Sequence, residues 1–423
     1  MDSINVDTVH VVEYLTVAET AERLGVKRET VYAYASRGLL TSVRGAQRRG
    51  SRFARPEVEA LAARGREAGA PSGAVERIRT GITLVADGGP WFRGVAAGEL
   101  ARTATPEEVA GLLWETGGPV PLAADPDLLP VATAVLRALP AGARATDRFR
   151  VAVGALAAAD PLRADVSPGA VVRTASRLLG TVVDALTTTV ADPPPPVEQA
   201  GLAARLWPAL ARDPSADPGA GIGHVRAALV LLADHGLAAS TVATRVAAST
   251  LADVHAVVSA GLGALDGPRH GLASGLAYRF LAGAATDPRA ALAERLRSGE
   301  RVPGFGHAVY RGPDPRAVVL LDRLRADPVA APAAGVVTAL ADGLHRGGEG
   351  PAPNIDIALA ALLHAHDLRP DAGELLFATA RTIGWVAHAM EEYAEPGLRF
   401  RPVGVYTGPR PGAGDGDGPA AAG

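Results

Sequence analysis

The sequence predicts a mostly α-helical protein in two unequal parts, a small basic module followed by a larger acidic helical body. Three observations carry this. Between Arg23 and Arg66, eleven basic residues stand against Glu29, Glu57 and Glu59, a local net of +8 in a chain whose total is −3. The remainder therefore carries −11. Apolar residues in the body recur mainly with helical spacing, as at Val109, Leu112 and Leu113, and few segments alternate with strand period. The stretch GREAGAPSG, within residues 65–75, lacks either periodicity and marks the seam.

The elements follow in order. Thr16 and Glu19 have capping-box spacing at the head of TVAETAERLG, and Val17, Ala21 and Leu24 form an apolar stripe that Gly25 ends. A second helix begins near Lys27, runs through RETVYAYASR and stops at Gly38. Two short helices joined by a Gly-containing turn are a helix-turn-helix signature. A basic hairpin-like stretch and another helix follow, in VRGAQRRGSRFARPEVEALAAR. In the body, 223–235 and 241–262 each read as a long apolar helix, DPPPP at 192–196 as a rigid connection, and PRPGAGDGDGPAAAG as a disordered tail.

Composition removes several classes. With 48% hydrophobic and 21% charged residues the chain is globular. No cysteine is present, which excludes a disulfide scaffold, a zinc ribbon and an iron–sulfur protein. No run of about 18 apolar residues suggests a membrane span, and the N-terminus has acids and no long apolar core, so the expectation is a cytoplasmic protein. Lys27 is the only lysine among 42 basic residues. Individual Arg, Ala, Gly and Pro residues therefore carry little signal.

The body holds five polar motifs: LVLLADHG at 229–236, GPRHG at 267–271, GFGHAVYRGPDPR at 304–316, PNID at 353–356, and RTIGWVAHAMEEY leading to RPVGVY at 381–406. They supply His235, His270, His307, Asp356 and arginines 316, 381 and 401. Three histidines and a carboxylate suit a metal site or acid–base catalysis beside an arginine cage. Each histidine adjoins a glycine, which suits close backbone approach to a ligand. Asp356 and Asn354 are both candidate helix caps. His388 reads as structural, packed near Trp385, and His255, His345, His364 and His366 read as ordinary.

Those five motifs, in this order and spacing, resemble the citrate synthase family from about residue 76 to 408; ITLVADGGPWFRG, with its Arg93–Gly94 pair, resembles the family's entry. The resemblance implies a large domain at 76–270 and 367–408, a small domain at 271–366 and a tail at 409–423, after a module at 1–70. It implies that acetyl-CoA condenses with oxaloacetate and water to give citrate and CoA, or that propionyl-CoA gives 2-methylcitrate. His270 would polarise the thioester carbonyl, Asp356 would take the methyl proton and His307 would protonate the ketone. His235, Arg316 and Arg381 would hold oxaloacetate. Arg401 would reach the other subunit's site, which implies a homodimer. Val302, Gly304, Phe305, Gly306 and Arg311 are the coenzyme A candidates. Neither a metal nor a flavin is needed. The chain departs from the family at Gly236 and Ala238, where an acid and an amide are usual, and at Arg269 and Ser274.

The N-terminal module resembles excisionase and MerR-like helix-turn-helix proteins over roughly 13–66. That implies a DNA partner, with Arg28, Thr30, Tyr32 and Arg37 in the major groove and Arg44, Arg48, Arg49 and Arg52 on phosphates. The alternative reading is a DNA-binding regulator whose synthase-like body senses a metabolite.

Overall fold

A computed structural model describes residues 14–24, 26–36, 39–44, 51–59, 61, 78–86, 88–193, 200–345 and 350–400. The chain divides into two compact units, one up to Ile78 and one from Arg79 to Arg401. Arg37, Arg48, Arg49 and Arg401 lie outside the described residues, as do Gly25, most of DPPPP and the C-terminal tail.

In the first unit, strand β1 (Tyr14–Thr16) leads into α1 (Val17–Leu24), and α2 (Arg28–Ser36) follows. The Thr16–Glu19 capping box forms: Glu19 accepts the Thr16 N–H at 2.8 Å, and Thr16 Oγ1 accepts the Glu19 N–H at 3.3 Å. The hairpin-like stretch is an antiparallel pair, β2 (Ser42–Arg44) on β3 (Ser51–Ala54), and β1 adds to the other edge of β3. Ala21, Val31, Leu40, Phe53 and Val58 make its core.

The second unit opens with a sheet of β4 (Thr83–Ala86), β5 (Gly89–Phe92) and β6 (Val95–Ala96). Arg93 and Gly94 are the two turn residues of its second hairpin, both at positive φ (44° and 85°), as a two-residue turn demands. Arg93 then donates to the Leu113 carbonyl at 3.1 and 3.0 Å. Helices follow: α3 (Ala97–Thr103), α4 (Pro106–Leu113), α5 (Leu129–Arg137), α6 (Ala145–Ala159), α7 (Pro168–Thr188) and α8 (Leu202–Leu210). Next come α9 (Gly221–Leu232), α10 (Ala239–Ala248), α11 (Val254–Leu265), α12 (Ala273–Ala284) and α13 (Pro288–Arg297). The last are α14 (Pro315–Ala326), α15 (Ala331–His345), α16 (Ile355–Ala365) and α17 (Ala372–Tyr393). The mostly α expectation holds. Among the described residues, no helix is long and apolar enough to cross a membrane.

Two expected helices are corrected. The run 241–262 is broken into α10 and α11. Ser249 and Thr250 turn their hydroxyls back onto the Val246 and Ala247 carbonyls, Leu251 takes φ 59°, and Asp253 caps the new helix through the Ala256 N–H at 3.0 Å. The helix expected over 223–235 ends at Leu232. Gly236 sits at φ 60°, the left-handed region open to glycine, and its N–H bonds Asp234 at 2.8 Å. His235 is thereby carried off the helix.

The central helix α17 is buried along most of its length. Arg245 of α10 is fully buried against it: it donates to His388 Nδ1 at 3.1 Å, to Glu392 at 2.9 Å and to Glu391. His388 in turn lies 3.3 Å from Asp234, beside the His235 turn. The structural reading of His388 thus acquires a definite content: it links the buried arginine to the turn.

Candidate active site

Two stretches of chain are stapled together. Gly304 carbonyl accepts the Asn354 N–H at 2.9 Å, Gly306 N–H donates to the Ala352 carbonyl at 2.8 Å, and Asn354 Nδ2 donates to the Gly306 carbonyl at 2.9 Å. Gly304 is required here. At φ 82°, a Cβ would fall 2.5 Å from Ile357 Cβ. Asp314, fully buried, caps α14 and also accepts the Ile355 N–H of α16 at 3.1 Å. Loop 304–314 and the starts of α14 and α16 are therefore one piece.

That piece carries three of the expected catalytic and oxaloacetate-binding residues, His307, Arg316 and Asp356. His307 Nδ1 accepts the Val309 N–H at 2.9 Å and the Tyr310 N–H at 3.3 Å; these two donors place the proton on Nε2, against the longer approach of Arg316 Nη2 to that nitrogen at 3.4 Å. Burial and the nearby Arg316 charge hold this imidazole neutral, below its usual pKa. Arg316, nearly fully buried, is held by a two-pronged bond to Asp314 (Nε 3.0 Å, Nη2 2.8 Å), leaving Nη1 uncommitted. Asn354, not Asp356, is the cap of α16: its Oδ1 accepts the Asp356 N–H at 3.0 Å. The Asp356 carboxyl makes no hydrogen bond among the described residues. Burial pushes it up to about 7, with Arg316 pulling the other way and Asp314 adding to the rise.

The remaining site residues come from other helices. His235 Nε2 pairs with the Tyr310 hydroxyl at 2.8 Å, and its ring meets that of His307 edge-on at 5.5 Å. Burial holds His235 far below its usual pKa, and keeps the Tyr310 proton on, at about 12. His270 Nε2 lies 2.8 Å from Ser240 Oγ, and that oxygen accepts the Trp385 indole N–H at 3.3 Å. The serine proton is then free to go to His270 Nε2, leaving Nδ1–H as a donor. Burial, then the Arg381 charge, takes His270 down to about 4. Arg381 on α17 is almost fully buried, donates Nε to the Leu232 carbonyl at 2.9 Å and lies over Phe377 at 5.6 Å. Its pKa is lowered to about 10, by burial first.

Arg316, Arg381, His307 and His270 all act on His235 electrostatically, so the structure brings five of the expected residues around one point. Asp356 joins them through Arg316. Of the coenzyme A candidates, Val302 is buried, Gly304, Phe305 and Gly306 are half-buried and Arg311 is exposed. Gly236 and Ala238 shape the His235 turn, and Ala238 is the N-cap of α10 with no side-chain bond to offer. Ser274 is buried on the Gly271 carbonyl at 3.2 Å, and Arg269 is exposed. Sequence reasoning gave no role to Ser240, Tyr310 or Asp314. The Asp-Pro-Arg order was a cap-then-N1 signal for Asp314; Ser240 and Tyr310 had none outside their motifs.

In the first unit, Arg28 and Tyr32 are exposed on α2, and Thr30 is half-buried there. Arg52 is half-buried on β3, opposite Val43, and Arg44 lies on the neighbouring β2.

The fold defines a chain built from a helix-turn-helix module and a large helical body that gathers histidines, arginines and a carboxylate around one point. A family model described as citrate synthase, C-terminal domain, matches residues 73–403, and one described as a helix-turn-helix domain matches 14–66. The chain belongs to the citrate synthase family. It is 38% identical to the citrate synthase of Haloferax volcanii over 186 residues, 43% of this chain and 49% of that protein. It is 33% identical to citrate synthase 2 of Bacillus subtilis over 186 residues, 43% of this chain and 50% of that protein. The chain thus spans about half the length of the curated relatives it matches. Among solved structures, the Thermoplasma acidophilum citrate synthase, in ternary complex with carboxymethyl coenzyme A and oxaloacetate, superposes with a TM-score of 0.65. It shows 25% identity, covering 80% of this chain and 95% of that one. The Thermotoga maritima enzyme, at 24% identity and a TM-score of 0.64, shares the fold.

Proposed function

We propose that this protein condenses acetyl-CoA with oxaloacetate and water, giving citrate and free CoA. The observation that carries the reading is Asp356. Its carboxyl is spared from capping and pushed up to about 7, and its neighbour Asn354 staples the head of α16 to the loop that holds His307. A thioester α-proton is weakly acidic, so a base must act together with a donor on the forming enolate oxygen. Asp356 serves as that base and the neutral His270, oriented by Ser240, as the donor. His307 Nε2–H gives its proton to the ketone oxygen as the enolate carbon attacks. His235, Arg316 and Arg381 hold the dianion, and buried arginines also draw charge toward its carboxylates. Water then cleaves the resulting thioester. The ligands of the related Thermoplasma enzyme support this assignment of substrates.

Release of CoA thiol with a thiol-reactive dye tests the reading, and the cysteine-free chain gives no background. Oxaloacetate-dependent release, abolished in His270→Ala and Asp356→Ala, is expected. No release with acetyl-CoA or propionyl-CoA, from a folded protein that still binds oxaloacetate, would overturn it. Propionyl-CoA and 2-methylcitrate remain the enzymatic alternative, since one methyl is worth only ~1–3 kcal/mol in a pocket. The enzyme is proposed to be a cytoplasmic homodimer in which Arg401 completes the other subunit's site. Restored activity on mixing Arg401→Ala with His270→Ala chains would support that arrangement.

The helix-turn-helix match favours a second role. The module binds DNA through α2 and the β2–β3 hairpin. Mobility shifts that weaken with salt and vanish on deletion of residues 1–70 test this.

A further inference from the structure

Away from the cleft, three polar side chains converge from three helices. His224 lies in the first turn of α9, Asp327 is the C-cap of α14 and His366 is the C-cap of α16. His224 Nδ1 is 3.0 Å from His366 Nε2, and Asp327 Oδ2 is 3.7 Å and 3.9 Å from those two nitrogens. The side chains are 5%, 7% and 12% exposed for His224, His366 and Asp327. One proton between the two rings satisfies the histidines and leaves the buried Asp327 Oδ2 without a hydrogen-bond partner, a costly state for a carboxylate. The point equidistant from the three atoms lies about 2.1 Å from each, the length of a zinc–imidazole or zinc–carboxylate bond.

We propose that His224, Asp327 and His366 bind one divalent transition-metal ion of the zinc class. Two imidazoles and one carboxylate favour such an ion over magnesium or calcium, which select all-oxygen sites. Three protein ligands leave a position for water. A single ion would satisfy both ring nitrogens and the orphaned oxygen at once. The Arg323 charge acts on His224, with Arg226 and Arg102 near Arg323, and Asp327 opposes it there.

The placement gives the ion a purpose. Arg316 on α14 and Asp356 on α16 lie eleven and ten positions away toward the other end of their helices, and His235 follows three residues beyond the end of α9. Along α14 and α16, at 1.5 Å per residue, that is about 15 Å. The ion would tie together the far ends of the helices that present the cleft. It takes no part in the chemistry proposed above, and it stands whether or not that chemistry is correct.

The test is metal content of the untagged full chain after dialysis against excess Zn2+ and then metal-free buffer. One zinc per chain is expected, retained in His364→Ala, whose side chain is exposed on the same α16. Asp327→Asn and His366→Ala should weaken binding at least ~100-fold, the upper end of what losing even an outer-shell partner costs. Asp327→Asn is nearly isosteric and guards against a variant that fails to fold; circular dichroism checks both. Zinc should also raise the thermal midpoint of the wild type and not of Asp327→Asn. Failure to retain zinc, or retention unchanged in both variants, would overturn the proposal.

Discussion

Asp356→Asn separates the cost of the proposed base from its use. The carboxyl is held at about 7 instead of its ordinary 3.8, chiefly by burial. A group whose folded pKa is raised binds its proton more tightly in the folded chain. Stability from this group is therefore greatest below pH 4 and is lost as pH rises through 7. Such a difference corresponds to at most ~4 kcal/mol at high pH. Asparagine keeps the volume and drops the charge. At pH 8 the variant should therefore be the more stable protein in urea unfolding, by up to that amount, while releasing no CoA. At pH 4 the two should converge. The same pKa sets the activity profile of the wild type. The base works as carboxylate, so kcat/KM should fall about tenfold per pH unit below 7, to roughly a tenth at pH 6 and a hundredth at pH 5. Removing the opposing charge with Arg316→Gln should move that limb upward. An acid limb near pH 4, or an Asp356→Asn chain no more stable than wild type at pH 8, would refute the reasoning.

Three further outcomes follow from the geometry. Ala238 occupies the N-cap of α10 with φ −61° and ψ 160° and no side-chain bond, so Ala238→Asn should stabilise the protein by about 1 kcal/mol in denaturant unfolding. Arg245→Met removes a buried donor shared by Glu391, Glu392 and His388, while Glu392 keeps Arg399 and Glu391 keeps the Gly81 N–H, so it should cost about 3 kcal/mol, the low end for breaking a buried pair, read as a lowered thermal midpoint. Gly304→Ala places a methyl against Ile357 at an unfavourable φ and should cost about 1–3 kcal/mol, with activity lost alongside.

Much of this was legible in the residues because the signals are local. The Thr16–Glu19 box, the Gly-flanked histidines and the PNID cap are all spelled within four or five positions. What the sequence hid depends on contacts across the chain. Asn354 and Asp356 compete for one cap, and only the packing of 304–314 on α16 decides that the asparagine takes it. The break in 241–262 is masked by apolar residues on both sides of Leu251, so periodicity runs straight through a turn. His366 read as ordinary because its partners are 142 and 39 positions away, on other helices. Arg245 was lost among many arginines, and burial alone distinguishes it.

The stapling of loop 304–314 to the head of α16 has a consequence for how a catalyst of the proposed kind could change. Under the proposed chemistry the donor His307 and the acceptor Asp356 are tied together by that staple, while His235, His270 and Arg381 come from other parts of the chain. The spacing of that pair is then fixed by the staple and changes only if the staple is broken. A lineage drifting toward a bulkier acyl group cannot shift the acid without dragging the base. Its accessible route is to trim side chains that face this pair, and laboratory evolution of this chain should collect its substitutions there.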